Sequence, residues 1–531
     1  MKYDYLIVGA GSAGSVLANR LSADPSKKVA VLEAGPSDDS IFVRMPVGVI
    51  LLMRSNKRNW RYWTVPQKGL NNREVYIPRG KMLGGSSSVN AMVYTRGHKW
   101  DYDHWAELGN KGWGWDDVLP IFKRTQRQER GESEFHGSSG NLNVADLRYL
   151  HPVTHAFVKA SGEAGFPLSD DFNNDVQEGM GAYQVTQKDG ERSNVARGFL
   201  HPVMARENLT VITDALAHKV LFDGKRATGV LANVNGHMQT IEAKEVILCG
   251  GAINSPQLLM LSGVGPVEEL TKHGIPLVHA LPGVGQNLQD HPDAIAVTKS
   301  LINDTLNLSP LALLLTGLRG LFDFFYRRTG QLTSNVAEAG GFIKSREEEA
   351  IPDLQIHLTT ARLDNHGLNL LFAMGAGYSA HVCALRPKSR GSITLASADP
   401  TAAPLIDPNL LGHEDDMETM VRGIKQVRKI LAQDALKDWR GEEIFPGAAT
   451  QSDEEIRQFL REKGDNIYHP VGTCKMGHDD MAVVSPDSMR VHGLEGLRVV
   501  DASIMPTLIG GNTNAPTVMI ADKTADMILA E

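Results

Sequence analysis

Three glycines near the N-terminus, Gly9, Gly11 and Gly14, have the spacing that binds a pyrophosphate. The first permits a tight turn, the second lets the backbone approach phosphate oxygens, and the third allows a helix to pack closely on a strand. Ser12 and Ala13 then open a helix whose N-terminus favours negative charge. This chemistry predicts a dinucleotide site.

The elements that must position these glycines are visible in the flanking sequence. Leu6–Val8 and Val29–Leu32 are apolar runs typical of buried strands, and Ser15–Leu21 between them has helical spacing. Glu33 follows the second run, 19 residues after the third glycine. A carboxylate at that distance accepts a hydrogen bond from a ribose hydroxyl and disfavours a 2′-phosphate. The unit therefore predicts FAD or NAD rather than NADP, and it does not decide between the first two.

The composition is that of a folded globular chain, and it narrows the function classes. The 531 residues carry a net charge of −8, and 42% of them are apolar. Without clustered Lys and Arg there is no electrostatic reason to expect a nucleic acid partner. The three cysteines are far apart, and no Cys/His or paired-carboxylate spacing indicates a metal. The N-terminus shows no charged leader followed by an apolar core, so we expect a cytoplasmic protein.

Later segments first continue the α/β pattern and then depart from it. Glu245–Cys249 and Leu497–Val500 are apolar runs expected in the first sheet, and Asp501 follows at a strand end, where ligands bind. Between them, Asp353–Leu358 and His381–Leu385 alternate like half-buried strands, with helical runs nearby. We therefore predict a nucleotide-binding domain built from separated segments and a second, α+β domain for the substrate.

Longer strings of residues carry a resemblance to a known family. Arg79–Asn90, Gly250–Pro256 and Tyr468–Cys474, together with the N-terminal glycines, resemble the glucose-methanol-choline family of FAD-dependent oxidoreductases from end to end of the chain. Two further strings, Gly283–His291 and Gly511–Pro516, are most similar to its bacterial alcohol and choline dehydrogenase branch. The similarity is greatest to membrane-associated, quinone-coupled alcohol dehydrogenases of alkane-degrading bacteria.

The resemblance implies an α/β fold in which a Rossmann-like FAD-binding domain carries a substrate domain with an antiparallel sheet. The expected boundaries are residues 1–155, 203–300 and 465–531 for the FAD-binding domain, and 156–202 and 301–464 for the substrate-binding domain. The residues expected to contact FAD are Gly9, Gly11, Ser12, Ala13, Gly14, Glu33, Ala34, Arg79, Gly84, Gly85, Ser86, Asn90, Ala91, Met92, Val220, Asp501, Ala502, Asn512 and Thr513. For Val220, a place in the core is an equal alternative. Some members attach the flavin to a histidine where Val89 stands here, so we expect noncovalent FAD.

His469 and Asn512 match the positions of the family's catalytic pair. Alcohol oxidation needs a base for the hydroxyl proton, and histidine is the natural base near neutral pH. Asn512, or Asn514 under a small alignment shift, is expected to hydrogen-bond the substrate oxygen. Glu338 and His357 match pocket residues of choline-oxidising members, with structural polar roles as the alternative.

These features predict an FAD-dependent dehydrogenase that oxidises primary, medium-chain aliphatic alcohols to aldehydes and passes electrons to a quinone-type acceptor. The alternatives are an oxygen-using oxidase, a choline dehydrogenase, and a hydroxynitrile lyase with structural FAD.

The sequence also contains two aliphatic segments, Asp38–Met53 and Leu311–Tyr326, the second followed by Arg327-Arg328. We expect these segments either to pack on the domain or to form an apolar entrance at the cytoplasmic face of the inner membrane. His291 is expected to serve structure at the domain junction. The oligomeric state stays open.

Overall fold

The computed structural model describes residues 2–307, 309, 317 and 319–531. Two large sheets carry its architecture. In chain order the strands are β1 (Tyr3–Val8), β2 (Val29–Leu32), β3 (Tyr62–Trp63), β4 (Tyr76–Ile77), β5 (Gln126–Gln128), β6 (Leu142–Val144), β7 (Gly179–Ala182), β8 (Gln187–Lys188), β9 (Glu191–Arg192), β10 (Leu209–Ile212), β11 (Ala215–Asp223), β12 (Arg226–Val234), β13 (His237–Leu248), β14 (Val264–Gly265), β15 (His279–Ala280), β16 (Gln286–Leu288), β17 (Pro292–Ser300), β18 (Ala337–Ile343), β19 (Leu354–Thr359), β20 (Gly377–Ala384), β21 (Gly391–Thr394), β22 (Leu405–Asp407), β23 (Arg440–Phe445), β24 (Asp465–Asn466) and β25 (Leu497–Val499). The helices are α1 (Ser12–Leu21), α2 (Ile41–Arg44), α3 (Val49–Leu52), α4 (Lys99–Glu107), α5 (Trp115–Thr125), α6 (Pro152–Glu163), α7 (Gly251–Leu261), α8 (Val267–Lys272), α9 (Leu370–Ala373), α10 (Glu414–Leu431), α11 (Asp453–Lys463) and α12 (Asn514–Leu529).

The first sheet contains the predicted strand, turn, helix and strand unit. Its order is β10-β2-β1-β13-β12-β11, and β25 pairs with the C-terminal end of β13. The pairs β10–β2, β2–β1, β1–β13 and β13–β25 are parallel, whereas β11, β12 and β13 form an antiparallel extension. The apolar runs of β1 and β2 share one core with Leu17 of α1 and Val518 of α12. Strands covered in this way need apolar side chains on both faces.

The second sheet is antiparallel, with the order β23-β17-β20-β19-β18-β7, and β24 pairs with β17. Ile356 and Val382 on one face share a core with Ile424 of the amphipathic α10. Because side chains alternate along a strand, the other face presents residues such as His357 and His381 to a cavity. The predicted α/β fold with a second, antiparallel sheet is confirmed.

The course of the chain differs from the expected boundaries in two places. β17 belongs to the second sheet, although residues 203–300 are expected in the FAD-binding domain. Ala196 and Phe199 pack in the first core, although residues 156–202 are expected in the substrate domain. The division into two domains itself stays a prediction.

The two aliphatic segments pack only in part. In the first, Val43 and Leu52 are buried, whereas Phe42 and Leu51 are exposed. In the second, residues 311–316 and 318 lie outside the described residues. Within the part of the chain that the structure describes, no helix combines the length and the apolar character needed to cross a bilayer.

Candidate active site

A cavity of about 620 Å³ lies at the C-terminal ends of β1, β2 and β13 and extends to the second sheet. Ligands of parallel α/β sheets bind at such strand ends. The residues that were expected to contact FAD and that line this cavity are Gly9, Gly11, Ser12, Ala13, Glu33, Ala34, Arg79, Gly85, Ser86, Asn90, Ala91, Met92, Asp501, Ala502, Asn512 and Thr513. The cavity therefore brings together segments from the whole length of the chain.

The three N-terminal glycines have the separate structural roles that their spacing predicts. Gly9 has a φ of +105°, and a Cβ on it would lie 2.5 Å from the carbonyl oxygen of Cys249. A Cβ on Gly14 would lie 1.9 Å from the carbonyl oxygen of Gly9, so the turn packs directly on α1. At Gly11, by contrast, the nearest atom is the Cα of Gly85 at 3.9 Å, which leaves its backbone open to the cavity. This turn and the N-terminus of α1 fit a pyrophosphate.

Glu33 joins the end of β2 to the glycine turn. Its Oε2 accepts the backbone N–H of Ala10 at 3.0 Å, and its Oε1 accepts that of Gly35 at 2.9 Å. Burial raises the pKa of this carboxyl to about 7, and the two N–H donors oppose the shift. Each oxygen has a further lone pair, so the side chain can also accept a ribose hydroxyl from the cavity.

The second glycine string packs directly on the first. Gly84 lies behind the cavity wall, where its N–H donates to the carbonyl oxygen of Ala10 at 2.8 Å. Gly85 has a φ of +52°, and a Cβ on it would lie 2.8 Å from the Cα of Gly11. Asp501 fixes a third turn, because its Oδ2 accepts the Gly251 N–H at 2.8 Å. The donors and glycines at this end of the cavity suit an extended dinucleotide such as FAD.

Four expected site residues do not line the cavity: Gly14 and Gly84 pack behind its wall, and Val220 and Glu338 lie elsewhere. Val220 is fully buried in the first core, and the residues of β11 that reach the cavity are 215–217. Glu338 is also fully buried, and it lies on the opposite side of β18 from Ala337, which lines the cavity. Its oxygens accept hydrogen bonds from the Ser334 hydroxyl (2.6 Å), the Thr154 hydroxyl (2.6 Å) and the His151 N–H (2.8 Å). Glu338 therefore has the structural role that was its alternative, whereas His357 lines the cavity.

His469 and Asn512 meet at the cavity wall. Nδ2 of Asn512 lies 3.2 Å from Nε2 of His469. Oδ1 of Asn512 accepts hydrogen bonds from Gln355 Nε2 at 3.1 Å and from Thr95 Oγ1 at 3.3 Å. The NH₂ group of the Asn512 side chain must therefore face the imidazole. The alternative residue, Asn514, instead accepts a hydrogen bond from Ser12 Oγ at 2.7 Å. The geometry favours Asn512 as the partner of His469.

Two side chains, those of Arg79 and Asp290, hold the backbone at His469. Tyr468, the preceding residue, has a left-handed φ of +69°, which is costly for a residue with a side chain. Arg79 Nη2 donates to the Tyr468 carbonyl oxygen at 2.6 Å, and Asp290 Oδ1 accepts the His469 N–H at 2.8 Å. The surrounding hydrogen bonds thus stabilise a strained turn that directs the imidazole to the cavity.

Burial sets the protonation states in this part of the cavity. It moves the pKa of His469 well below its ordinary value, and the positive charge of nearby Arg79 acts in the same direction. His469 is therefore neutral near pH 7 and able to accept a proton. Burial also raises the pKa of Asp290 to about 7.

An ion pair on the floor of the cavity was not expected from the sequence. Burial alone lowers the pKa of His381, but Oδ2 of Asp293 lies 2.7 Å from its Nδ1, and the net shift is upward. Both residues line the cavity, one on β20 and the other on β17. They belong to no motif, and the one available signal was a titratable residue next to apolar residues in each of the two strands.

Known proteins match this chain over its full length. Models of the GMC oxidoreductase family match residues 3–293 and 387–521. The alcohol dehydrogenase [acceptor] of Pseudomonas putida is 50% identical, over 99% of this chain and 96% of its own length. The oxygen-dependent choline dehydrogenase of Yersinia pseudotuberculosis is 45% identical, over 99% of this chain and 94% of its own. Among solved structures, pyridoxine 4-oxidase from Mesorbium loti superposes with a TM-score of 0.90 at 29% identity, covering 100% of both chains.

Proposed function

This chain belongs to the GMC oxidoreductase family of FAD-binding flavoproteins, and on this premise we propose that it oxidises uncharged primary alcohols to aldehydes and passes the electrons to a quinone-type acceptor. The observation that carries the proposal is the neutral His469 facing Asn512 at the wall of a cavity suited to FAD. The similarity to an alcohol dehydrogenase [acceptor] supports the same reaction class.

The side chains of this site divide the chemistry between them. His469 Nε2 accepts the hydroxyl proton of the alcohol, and the Asn512 amide donates a hydrogen bond to the oxygen as negative charge develops there. Bound FAD supplies the acceptor for the hydride. Because His469 is buried, the developing charge is stabilised by fixed donors rather than by mobile water.

We propose that the FAD is not covalently attached. Some family members carry a histidine that bonds to the flavin at the position of Val89. Val89 is buried in an aliphatic cluster with Val43, Leu52 and Met82. An aliphatic side chain has no atom that can form the bond to a flavin. The glycine turns and Glu33 therefore retain the cofactor by noncovalent contacts.

The charges in the cavity favour an uncharged substrate over choline. Glu338, the carboxylate expected to pair with a quaternary ammonium, does not reach the cavity. Asp293 is paired with His381 at 2.7 Å, and Asp364 with Lys463 at 3.2 Å. A cationic substrate would have to compete with these existing pairs.

A panel of alcohols tests the proposed function. We expect anaerobic addition of 1-octanol to bleach the oxidised flavin band within the time of one turnover. Choline should bleach it at least ~10-fold more slowly, because its ammonium group would lose its hydration in the cavity without forming an ion pair with a carboxylate. Reoxidation is then followed with air and with a soluble quinone. Bleaching by choline alone would assign the choline dehydrogenase reaction, and rapid turnover with air would assign the oxidase. A spectrum unchanged by every alcohol would favour the lyase.

We further propose contact with the cytoplasmic face of the inner membrane. Phe322, Phe325 and Tyr326 expose 50%, 45% and 78% of their surfaces, which is more than a packed segment would leave. Arg327 beside them is exposed but pairs with Asp323 at 3.1 Å, and Arg328 pairs with Glu191, so the aromatic rings rather than the arginines carry the proposal.

Vesicle flotation tests this contact. The protein should float with vesicles containing anionic lipid, and changing Phe322 and Phe325 to serine should lower the partition coefficient at least ~10-fold, since each buried ring contributes about 1.5–3 kcal/mol. Leu168→Ser is the matched control, because Leu168 is 58% exposed in another part of the chain. An equal loss in the control, or no flotation of the unaltered protein, would reject the membrane contact.

A further inference from the structure

The buried residue behind His469 is another histidine. His291 is fully buried, and its Nδ1 lies 3.0 Å from Nδ1 of His469, with the two rings nearly perpendicular at 87°. On its other side, Nε2 of His291 lies 3.0 Å from the carbonyl oxygen of Leu385 and 3.1 Å from that of Ile509. Every ring nitrogen of this histidine pair therefore has a defined neighbour.

These neighbours fix which nitrogens carry hydrogen. The two carbonyl oxygens can only accept, so Nε2 of His291 must be the protonated nitrogen. Burial lowers the pKa of His291 to about 3, so the ring is neutral and its Nδ1 carries only a lone pair. Nδ1 of His469 must then donate the hydrogen of the 3.0 Å contact, which leaves the lone pair of His469 on Nε2, the nitrogen that faces Asn512.

The other end of the hydrogen-bond chain gives the same assignment independently. Gln355 and Thr95 donate to Oδ1 of Asn512, so its Nδ2 donates to Nε2 of His469. Both ends thus require His469 to be protonated on Nδ1 and to have its lone pair on Nε2, on the side that faces Asn512 and the cavity. That is the tautomer that can remove a proton from an alcohol.

We propose that His291 is a positioning residue that holds His469 in this tautomer and accepts a hydrogen bond from its imidazolium after proton transfer. The inference rests on the proposed function, since it concerns the base of that reaction. In the step, the alcohol O–H bond breaks and an N–H bond forms at His469 Nε2. Bound FAD would accept the carbon-bound hydrogen together with its electron pair, and the substrate would leave as the aldehyde.

His291 acts as an acceptor and does not relay the proton further. A proton transferred to its Nδ1 would create a cation in a fully buried place whose pKa is about 3. The charged or titratable groups around the pair are Arg79, Asp290 and His357 near His469, and Arg386 near His291. All of them are retained in the variants below, so they affect parent and variants alike.

The first test is the tautomer itself in the oxidised holoenzyme without substrate. In ¹⁵N NMR of histidine-labelled protein, His469 should show a protonated Nδ1 and a lone-pair Nε2, and His291 the reverse. The resonances are assigned by their loss in H469A and in H291N. The opposite tautomer at His469 would overturn the proposal even if the enzyme oxidises alcohols. Failure of every alcohol to reduce the flavin would instead overturn the proposed function and leave the tautomer result readable.

The second test uses three substitutions that separate the two sides of His291. H291N keeps an acceptor near Nδ1, H291Q keeps a donor near Nε2 for the two carbonyls, and H291L keeps neither. We expect flavin reduction by 1-octanol to fall about 10- to 100-fold in H291Q and H291L, and H291N to recover most of the rate. Thermal unfolding and FAD content are measured for each variant.

The pH profile distinguishes positioning from a merely structural role. Without an acceptor for its Nδ1–H, the imidazolium of His469 is less stable, so the pKa of His469 falls. The acid limb of the reduction rate should therefore move to lower pH in H291Q and H291L but not in H291N. Equal losses in H291N and H291Q with an unmoved acid limb would overturn the proposal. If the variants do not fold, the NMR spectrum of the unaltered holoenzyme decides alone.

Discussion

Replacing His469 by alanine should lower the rate of anaerobic flavin reduction by an alcohol at least ~10²-fold while FAD remains bound. A positioned general base typically contributes 10²–10⁴-fold, and the loss here includes the partner that orients Asn512. The effect should appear in the single-turnover rate of reduction, measured by stopped flow at saturating 1-octanol. That measurement isolates the chemical step from reoxidation.

A buried histidine outside the cavity provides the control for this loss. His136 is buried and contacts Gln126 and Asp171, so H136N reports the cost of disturbing an internal histidine network alone. Its reduction rate should stay within a few-fold of the parent. If H469A kept a rate within the same range with full FAD content, His469 would not be the base.

Replacing Gly14 by alanine should weaken FAD retention about 10- to 100-fold. The new Cβ would lie 1.9 Å from the carbonyl oxygen of Gly9 and 3.0 Å from its carbonyl carbon, and no side-chain rotation can relieve these contacts with the main chain. Forcing one methyl group into such a place costs about 1–3 kcal/mol, and each 1.4 kcal/mol is tenfold in affinity. The strain is directed at the turn expected to hold the pyrophosphate.

The measurement is the flavin released by acid after dialysis against known FAD concentrations. Because Val89 provides no attachment, acid precipitation should leave the yellow colour in the supernatant. G162A is the matched helical control, since its Cβ would meet only the Leu168 side chain at 3.5 Å. Colour in the pellet would mean covalent attachment, and equal FAD content in G14A and G162A would exclude the proposed role of Gly14.

The main-chain parts of the site could be predicted from sequence, because they depend on residues that few others can replace. Gly9 and Gly14 are required by a positive φ and by contacts shorter than any Cβ allows. The string around His469 was identified as a whole, although nothing in it indicated that Tyr468 would have a φ of +69°. Such positions connect sequence to conformation almost one to one.

The sequence did not predict which side chains of a strand point into the cavity. Glu338 and Ala337 are neighbours on a strand, so one lines the cavity and the other does not, and alternation alone cannot say which. Val220 follows a register shift between Ala217 and Lys219, which changes the face that later residues of β11 present. His291 was expected to have a structural role. Its contact with His469 could not be seen in the sequence, because the two positions are 178 residues apart.

The pairing of α1 with α12 also sets the order of events during synthesis. Ser12 bonds to Asn514, 502 residues later, and the two helices share one core. A ribosome adding about 5–20 residues per second needs roughly half a minute or more to reach that partner. Until then the nascent chain exposes an unfinished apolar face and cannot complete its nucleotide cradle. The nucleotide cradle is therefore complete only after the C-terminal helix has been synthesised and has packed on α1.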